Sequence, residues 1–209
     1  QEFISEVTKF VGENELKYIG IGNEVNFDNE PVSFESGVLS FNSVYDEIKG
    51  KSPETKVFTI FQYEALRGLR GGLFGGENNE ANAEWNLLNL AEKSDLIGFT
   101  TYPGLIYKNP NEIPNDYYEE IQKHTTKKTI FTEIGWFREI PNNLSEWKSS
   151  QEEQADFIRL FFAQTNGMQP EARIWTFVYD AETIDAFSSL GVLTEEQETS
   201  PPYEAGKTR

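Results

Sequence analysis

Two glutamates stand where apolar runs give way to polar residues. Glu24 closes the run YIGIGNE that begins at Tyr18, and Glu133 closes TIFTE from Thr129. A carboxyl kept protonated beside one kept ionised can protonate a departing oxygen while the other attacks the carbon it leaves. The carboxyls must then lie about 5 Å apart, and residues so distant in sequence meet only through the fold. Other strand-like runs end in polar or aromatic residues too: Gln62, Tyr63 and Glu64; Tyr102; Trp136 and Phe137 just after Glu133; and Trp175, with Tyr179 and Asp180 beyond it. In parallel βα architectures that edge binds ligands, because loops there vary freely over a rigid base. The pattern points to one shared site.

The elements that must position these residues are legible as punctuation. Five short apolar runs, starting near Tyr18, Val57, Leu96, Thr129 and Arg173, show little strict alternation, as parallel strands buried on both faces do. Helix-like stretches separate them. The first residues, QEFISEVTKFV, read as an amphipathic helix; Ser150 and Glu153 form a capping box before QADFIRLFFA, which Gly167 is placed to end, and Gly50 is placed to end YDEIK. The expectation is an α/β fold. Eight units of this spacing do not fit in 209 residues, so residues 1–209 read as the C-terminal part, strands four to eight, of a single (β/α)₈ catalytic barrel. An open five-stranded doubly wound sheet competes with it. The glycine-rich stretch from Arg67 to Gly76 is a surface loop or a lid.

Composition removes several classes of function. A net charge of −17 argues against nucleic acid, which needs a basic stripe to displace counterions. The one basic cluster, Lys123, Lys127 and Lys128 around His124, reads as a solvated helix end. Having no cysteine, the chain has no thiolate chemistry and no cysteine-ligated zinc, and no metal site or cofactor is expected. Its single histidine comes without a Gly-x-Ser-x-Gly elbow, which speaks against a serine triad. No apolar run is long enough for a membrane-spanning helix. Asn143-Leu144-Ser145 matches a glycosylation sequon, and the compartment stays open with an extracellular one favoured.

Three runs carry a resemblance. KYIGIGNEVN from Lys17, DLIGFTTYP from Asp95 and TIFTEIGWF from Thr129 resemble the Asn-Glu, strand-six and nucleophile motifs of clan A glycoside hydrolases, with wording closest to the β-1,3-glucanase and β-1,4-galactanase branches. The resemblance implies a retaining hydrolase of β-glycosidic bonds in a neutral poly- or oligosaccharide. It implies Glu24 as acid/base, Glu133 as nucleophile, Asn23 on the sugar 2-hydroxyl, Tyr102 orienting Glu133 and Trp175 beneath the sugar ring. Gln62 and Trp136 join them as substrate contacts. A non-catalytic carbohydrate-binding barrel with the same cleft is the alternative. In this clan an arginine supporting the nucleophile usually comes from the strands this chain lacks. A second chain or an N-terminal segment is therefore expected to complete the barrel, covering Ile19, Ile21, Ile174 and Phe177 on its open side.

Overall fold

A computed structural model describes residues 2–27, 34–139, 147–180, 187–193 and 200–207. All five apolar runs form strands: β1 (Tyr18–Gly20), β2 (Lys56–Gln62), β3 (Leu96–Thr101), β4 (Thr129–Ile134) and β5 (Arg173–Trp175). They lie in one sheet in chain order, and every neighbouring pair is parallel. A doubly wound sheet reverses its strand order at a switch point. This sheet has no reversal, so the architecture is part of a (β/α)₈ barrel.

Residues paired across parallel strands share a face, so the register sorts the apolar residues into two layers. Phe58, Ile60, Leu96 and Ile130 form the inner layer. Phe61, Phe99 and Phe131 stand on the outer face, fully buried beneath the helices. Each such burial contributes about 1.5–3 kcal/mol relative to exposure. Burial on both faces explains why the runs lack alternation.

The helices cover the outer layer. α1 (Glu2–Asn14) packs Val11 against Phe41, Val44 and Ile48 of α2 (Phe34–Lys51). α2 continues through Gly50 to Lys51, against the expectation that Gly50 ends it; the Ser52 amide still donates to Ile48, so the glycine is accommodated as a helical residue. Short helices α3 (Tyr63–Leu66) and α4 (Ile121–His124) follow, then α5 (Gln151–Thr165) and α6 (Pro201–Lys207). Ser150 caps α5 by accepting from the Glu153 amide at 3.2 Å, and Gly167 lies just past the helix end. Lys123 and His124 occupy the last turn of α4, where His124 stacks on Trp85, while Lys127 satisfies the Glu92 and Ser94 carbonyls. The sequon at Asn143 lies outside the described residues.

Among the described residues β1 and β5 each pair on one side only. The expected open side is corrected in detail. Ile19 and Ile21 pack on the α1–α2 cluster and Phe177 lines a cleft; only Ile174, 47% exposed, faces an open interior. The reason is parity, which turns Ile19 to the helix face together with its partner Val57.

Local hydrogen bonds organise the glycine-rich stretch and the residues that follow it. The Gly71 amide donates to Asn78, Gly76 to Arg70 and Asn79 to Gly68. Gly72 has φ +58°, and a Cβ there would meet the Leu105 carbonyl oxygen at 2.2 Å. Gly72→Ala is therefore expected to destabilise the chain by about 2 kcal/mol or more. Urea denaturation measures this directly.

Candidate active site

The site begins with a register shift. Phe99 pairs with Phe131, but Thr100 pairs with Glu133, so Thr132 is the extra residue of a bulge between β3 and β4. Bulges re-aim side chains. Here the bulge turns Glu133 to the same face as Thr100, which in turn pairs with Gln62 of β2. Three neighbouring strands thus present Gln62, Thr100 and Glu133 side by side at their C-terminal ends.

Glu24 arrives from a turn. After β1 the Ile21 and Val25 amides still donate to Phe58 and Ile60 of β2, so the segment between them, Gly22-Asn23-Glu24, must loop out. Asn26 fastens the end of the turn like an extra strand: its side chain donates to the Gln62 carbonyl at 2.9 Å and accepts from the Gln62 amide at 2.8 Å. Glu24 itself has φ +49°, a left-handed conformation that costs a non-glycine residue about 1–2 kcal/mol. Such outliers persist where the surroundings over-determine them.

Both carboxyls are held by hydrogen bonds. The Thr100 hydroxyl donates to Glu24 Oε1 at 2.6 Å. Glu133 accepts from Asn23 Nδ2 at 3.2 Å on Oε1 and from the Tyr102 hydroxyl at 2.6 Å on Oε2. Thr176 Oγ1 lies 3.0 Å from the same phenol oxygen. Burial pushes Glu24 above the usual carboxylate range; the Thr100 hydrogen bond opposes this and the charge of Glu133 adds to it. Burial and the bond to Glu133 likewise push Tyr102 up, so the phenol keeps its proton and remains a donor. Glu24 is thus a carboxyl whose proton affinity is raised, in the same cleft as an acceptor pinned from two sides.

Glu24 and Glu133 line one cleft of about 280 Å³ together with Gln62, Tyr102, Thr176, Leu105 and four phenylalanines, 27, 74, 177 and 187. Phe74 comes from the glycine-rich loop, its ring 5.4 Å from that of Phe27. Among the described lining residues none carries a positive charge. No cluster of histidine and carboxylate side chains among the described residues could hold a metal ion, and no helix among them is long and apolar enough to cross a membrane.

Of the residues expected from sequence, Asn23, Glu24, Gln62, Tyr102 and Glu133 come together and both tryptophans do not. Trp175 pairs with Ile134, one residue past Glu133, and so takes the opposite face; its indole donates to the Leu190 carbonyl and its ring packs near Phe157. Thr176 takes the inward position instead. Trp136 is fully buried, bonded to Ser149 and packed on Phe157, so it cannot reach a ligand. Phe137, Tyr63 and Glu64 are buried as well. Gln62 borders the cleft with both amide ends already engaged, by Glu64 and by the Ala65 amide. Asp180 is bound to Arg138, and Tyr179 is exposed away from the cleft lining.

The sequence reading missed Thr100, Thr176, Asn26 and the phenylalanines. Alternation along FTTY could have exposed Thr100, since it stands two residues before Tyr102 on the same face. Nothing in sequence singles out Phe74.

No family model matches the sequence, and no curated protein matches it by sequence. Solved structures do match by shape. A β-1,3-glucanosyltransferase from Rhizomucor miehei, solved as an active-site mutant with laminaritriose, superposes with a TM-score of 0.65 at 14% identity, over 97% of this chain and 71% of its own. A β-glucuronidase from an uncultured Clostridium sp. gives 0.67 at 17% identity, over 98% of this chain and 34% of its own. A GH113 β-1,4-mannanase gives 0.58 at 15% identity, over all of this chain and 61% of its own. The chain has the fold these carbohydrate-active enzymes share, in keeping with the clan-level resemblance of its motifs. It spans from a third to seven-tenths of their lengths.

The raised Glu24 carboxyl makes a stability prediction. A carboxyl that binds its proton more tightly when folded stabilises the fold below the ordinary glutamate range near pH 4.5, and loses that contribution as pH rises through its higher folded value. Glu24→Gln, which cannot ionise, is expected to melt higher than wild type at neutral pH, with the gain vanishing below about pH 4. Thermal melts across that range check it.

Proposed function

We propose that this chain carries the catalytic pair of a retaining β-glycosidase, with Glu133 as nucleophile and Glu24 as acid/base. The observation that supports it most is the pairing in one cleft of a carboxyl biased to hold a proton with a carboxylate held by Asn23 and Tyr102. Those two environments match the two roles that double displacement requires.

In the first step an oxygen of Glu133 bonds to the anomeric carbon as that carbon's bond to the leaving oxygen breaks, and Glu24 gives its proton to that oxygen. In the second, Glu24 takes a proton from water, the water oxygen bonds to the anomeric carbon, and Glu133 departs as carboxylate. Asn23, hydrogen-bonded to Glu133, suits a sugar 2-hydroxyl. Tyr102 holds Glu133 at the angle of attack.

The cleft favours a neutral sugar. Phenylalanine rings offer apolar faces to the C–H side of a pyranose, and among the described lining residues there is no cation to pair with a uronic acid. A β-1,3- or β-1,4-linked glucan, galactan or mannan fits that chemistry. A carbohydrate-binding barrel without turnover is the reading to be eliminated.

A polypeptide segment, from a longer chain or a second copy, is further proposed to pair with the outer edges of β1 and β5. The free outer edges of β1 and β5 among the described residues and the exposed Ile174, Val178 and Tyr179 favour such a partner.

Glu133→Gln is expected to lower turnover of an aryl β-glycoside by about 10³-fold or more, since an amide cannot form the glycosyl-enzyme. Glu24→Ala is expected to recover turnover of a substrate with a good leaving group when azide is added, releasing a glycosyl azide that mass spectrometry identifies. Wild-type rates in the first variant, or no azide product in the second, remove the assigned role. Light scattering of the purified chain is expected to give a mass above that of a 23.9 kDa monomer. A lone monomer that still hydrolyses substrate would show that no partner is needed.

A further inference from the structure

Glu64 is the one fully buried carboxyl among the described residues, and the chemistry above does not use it. It stands on α3, two residues past the end of β2, and is absent from the cleft lining. Its two oxygens are crowded with donors. Oε1 accepts from the Thr101 hydroxyl at 2.7 Å and the Tyr117 hydroxyl at 3.1 Å; Oε2 accepts from Gln62 Nε2 at 2.6 Å and the Tyr102 amide at 3.2 Å. A buried carboxyl costs several kcal/mol unless hydrogen bonds satisfy it, and here four donors do so. Burial raises its proton affinity, partly opposed by the hydrogen bonds from Thr101, Tyr102 and Tyr117.

What the four donors share is their place. They come from the ends of β2 and β3 and from the segment before α4, and two of them, Gln62 and Tyr102, border the cleft. Tyr102 is gripped at its two ends: its amide by Glu64, its hydroxyl by Glu133. Gly135 presses on the ring between them, since a Cβ there would meet Tyr102 Cε1 at 2.6 Å. With the ring's length fixed, anchoring the backbone sets where the hydroxyl points.

We propose that Glu64 is a positioning residue that acts through Tyr102, fixing the phenol on Glu133 so that the carboxylate is aimed at the anomeric carbon. This rests on the assignment of Glu133 as nucleophile. Glu64 touches no substrate. A replacement of equal shape cannot serve, because a glutamine here turns an NH₂ group, a donor, toward one pair of donors and leaves only one acceptor oxygen.

The test is a double-mutant cycle on the full chain using 2,4-dinitrophenyl β-glycosides of glucose, galactose and mannose, taking whichever is turned over fastest. Glu64→Gln is expected to lower kcat roughly ten- to hundred-fold with KM within about twofold of wild type, the cost of a misaimed group. Introduced into Tyr102→Phe, the same change is expected to cost less than about threefold, because the hydroxyl it aims is already gone. Equal losses in both backgrounds would mean a general structural role and overturn the proposal, as would an unchanged kcat in the single variant. If Glu64→Gln does not fold, Tyr117→Phe removes one of the four donors and leaves the carboxyl, and the same cycle with it decides in the same terms. Failure of the underlying assignment looks different: Glu133→Gln and Tyr102→Phe would then both keep wild-type turnover.

Discussion

The arrangement depends on one irregularity in an otherwise regular sheet, the extra residue between the Phe99–Phe131 and Thr100–Glu133 pairs. Strand side chains alternate, so without that bulge Thr132 would stand opposite Thr100 and Glu133 would turn toward the helices. With it, Phe131 stays in the outer core while Glu133, two residues later, faces the cleft. The fully buried aromatic layer holds the bulge in register. The apolar core and the polar site are therefore two faces of one register decision.

The cleft sets two carboxyls in different surroundings. Glu24 loses solvation and feels Glu133, and both effects favour the protonated form; Glu133 is given donors that favour its role as acceptor. The arrangement costs stability twice, through a carboxyl held above its ordinary range and through the left-handed backbone at Glu24. Neither feature helps the chain to fold, and local strain concentrated beside a cleft is a common mark of a working site. The offset comes from the surroundings: the paired bonds of the Asn26 side chain to the Gln62 backbone and the buried network centred on Glu64.

The sequence by itself determined more of the fold than of the site. All five strands lie where the apolar runs fall, because a strand buried on both faces must be apolar throughout, and such runs are visible in the chain. The capping serine before α5 was legible for the same kind of local reason, whereas Gly50 was misread because a glycine stops a helix only when the backbone turns there. Asn23, Glu24, Tyr102 and Glu133 were legible because their residue types stand at strand ends. The tertiary structure alone decided which way each side chain turned. Trp175 and Trp136 carry the right residue type near the right edge, yet pairing with Ile134 sends one to the helix face and packing on Phe157 buries the other. Thr100 and Phe74 were chosen equally late, one by cross-strand register and the other by a loop folded back through Gly72. Parity and long-range packing are set by partners far away in the chain, so no local window of sequence contains them.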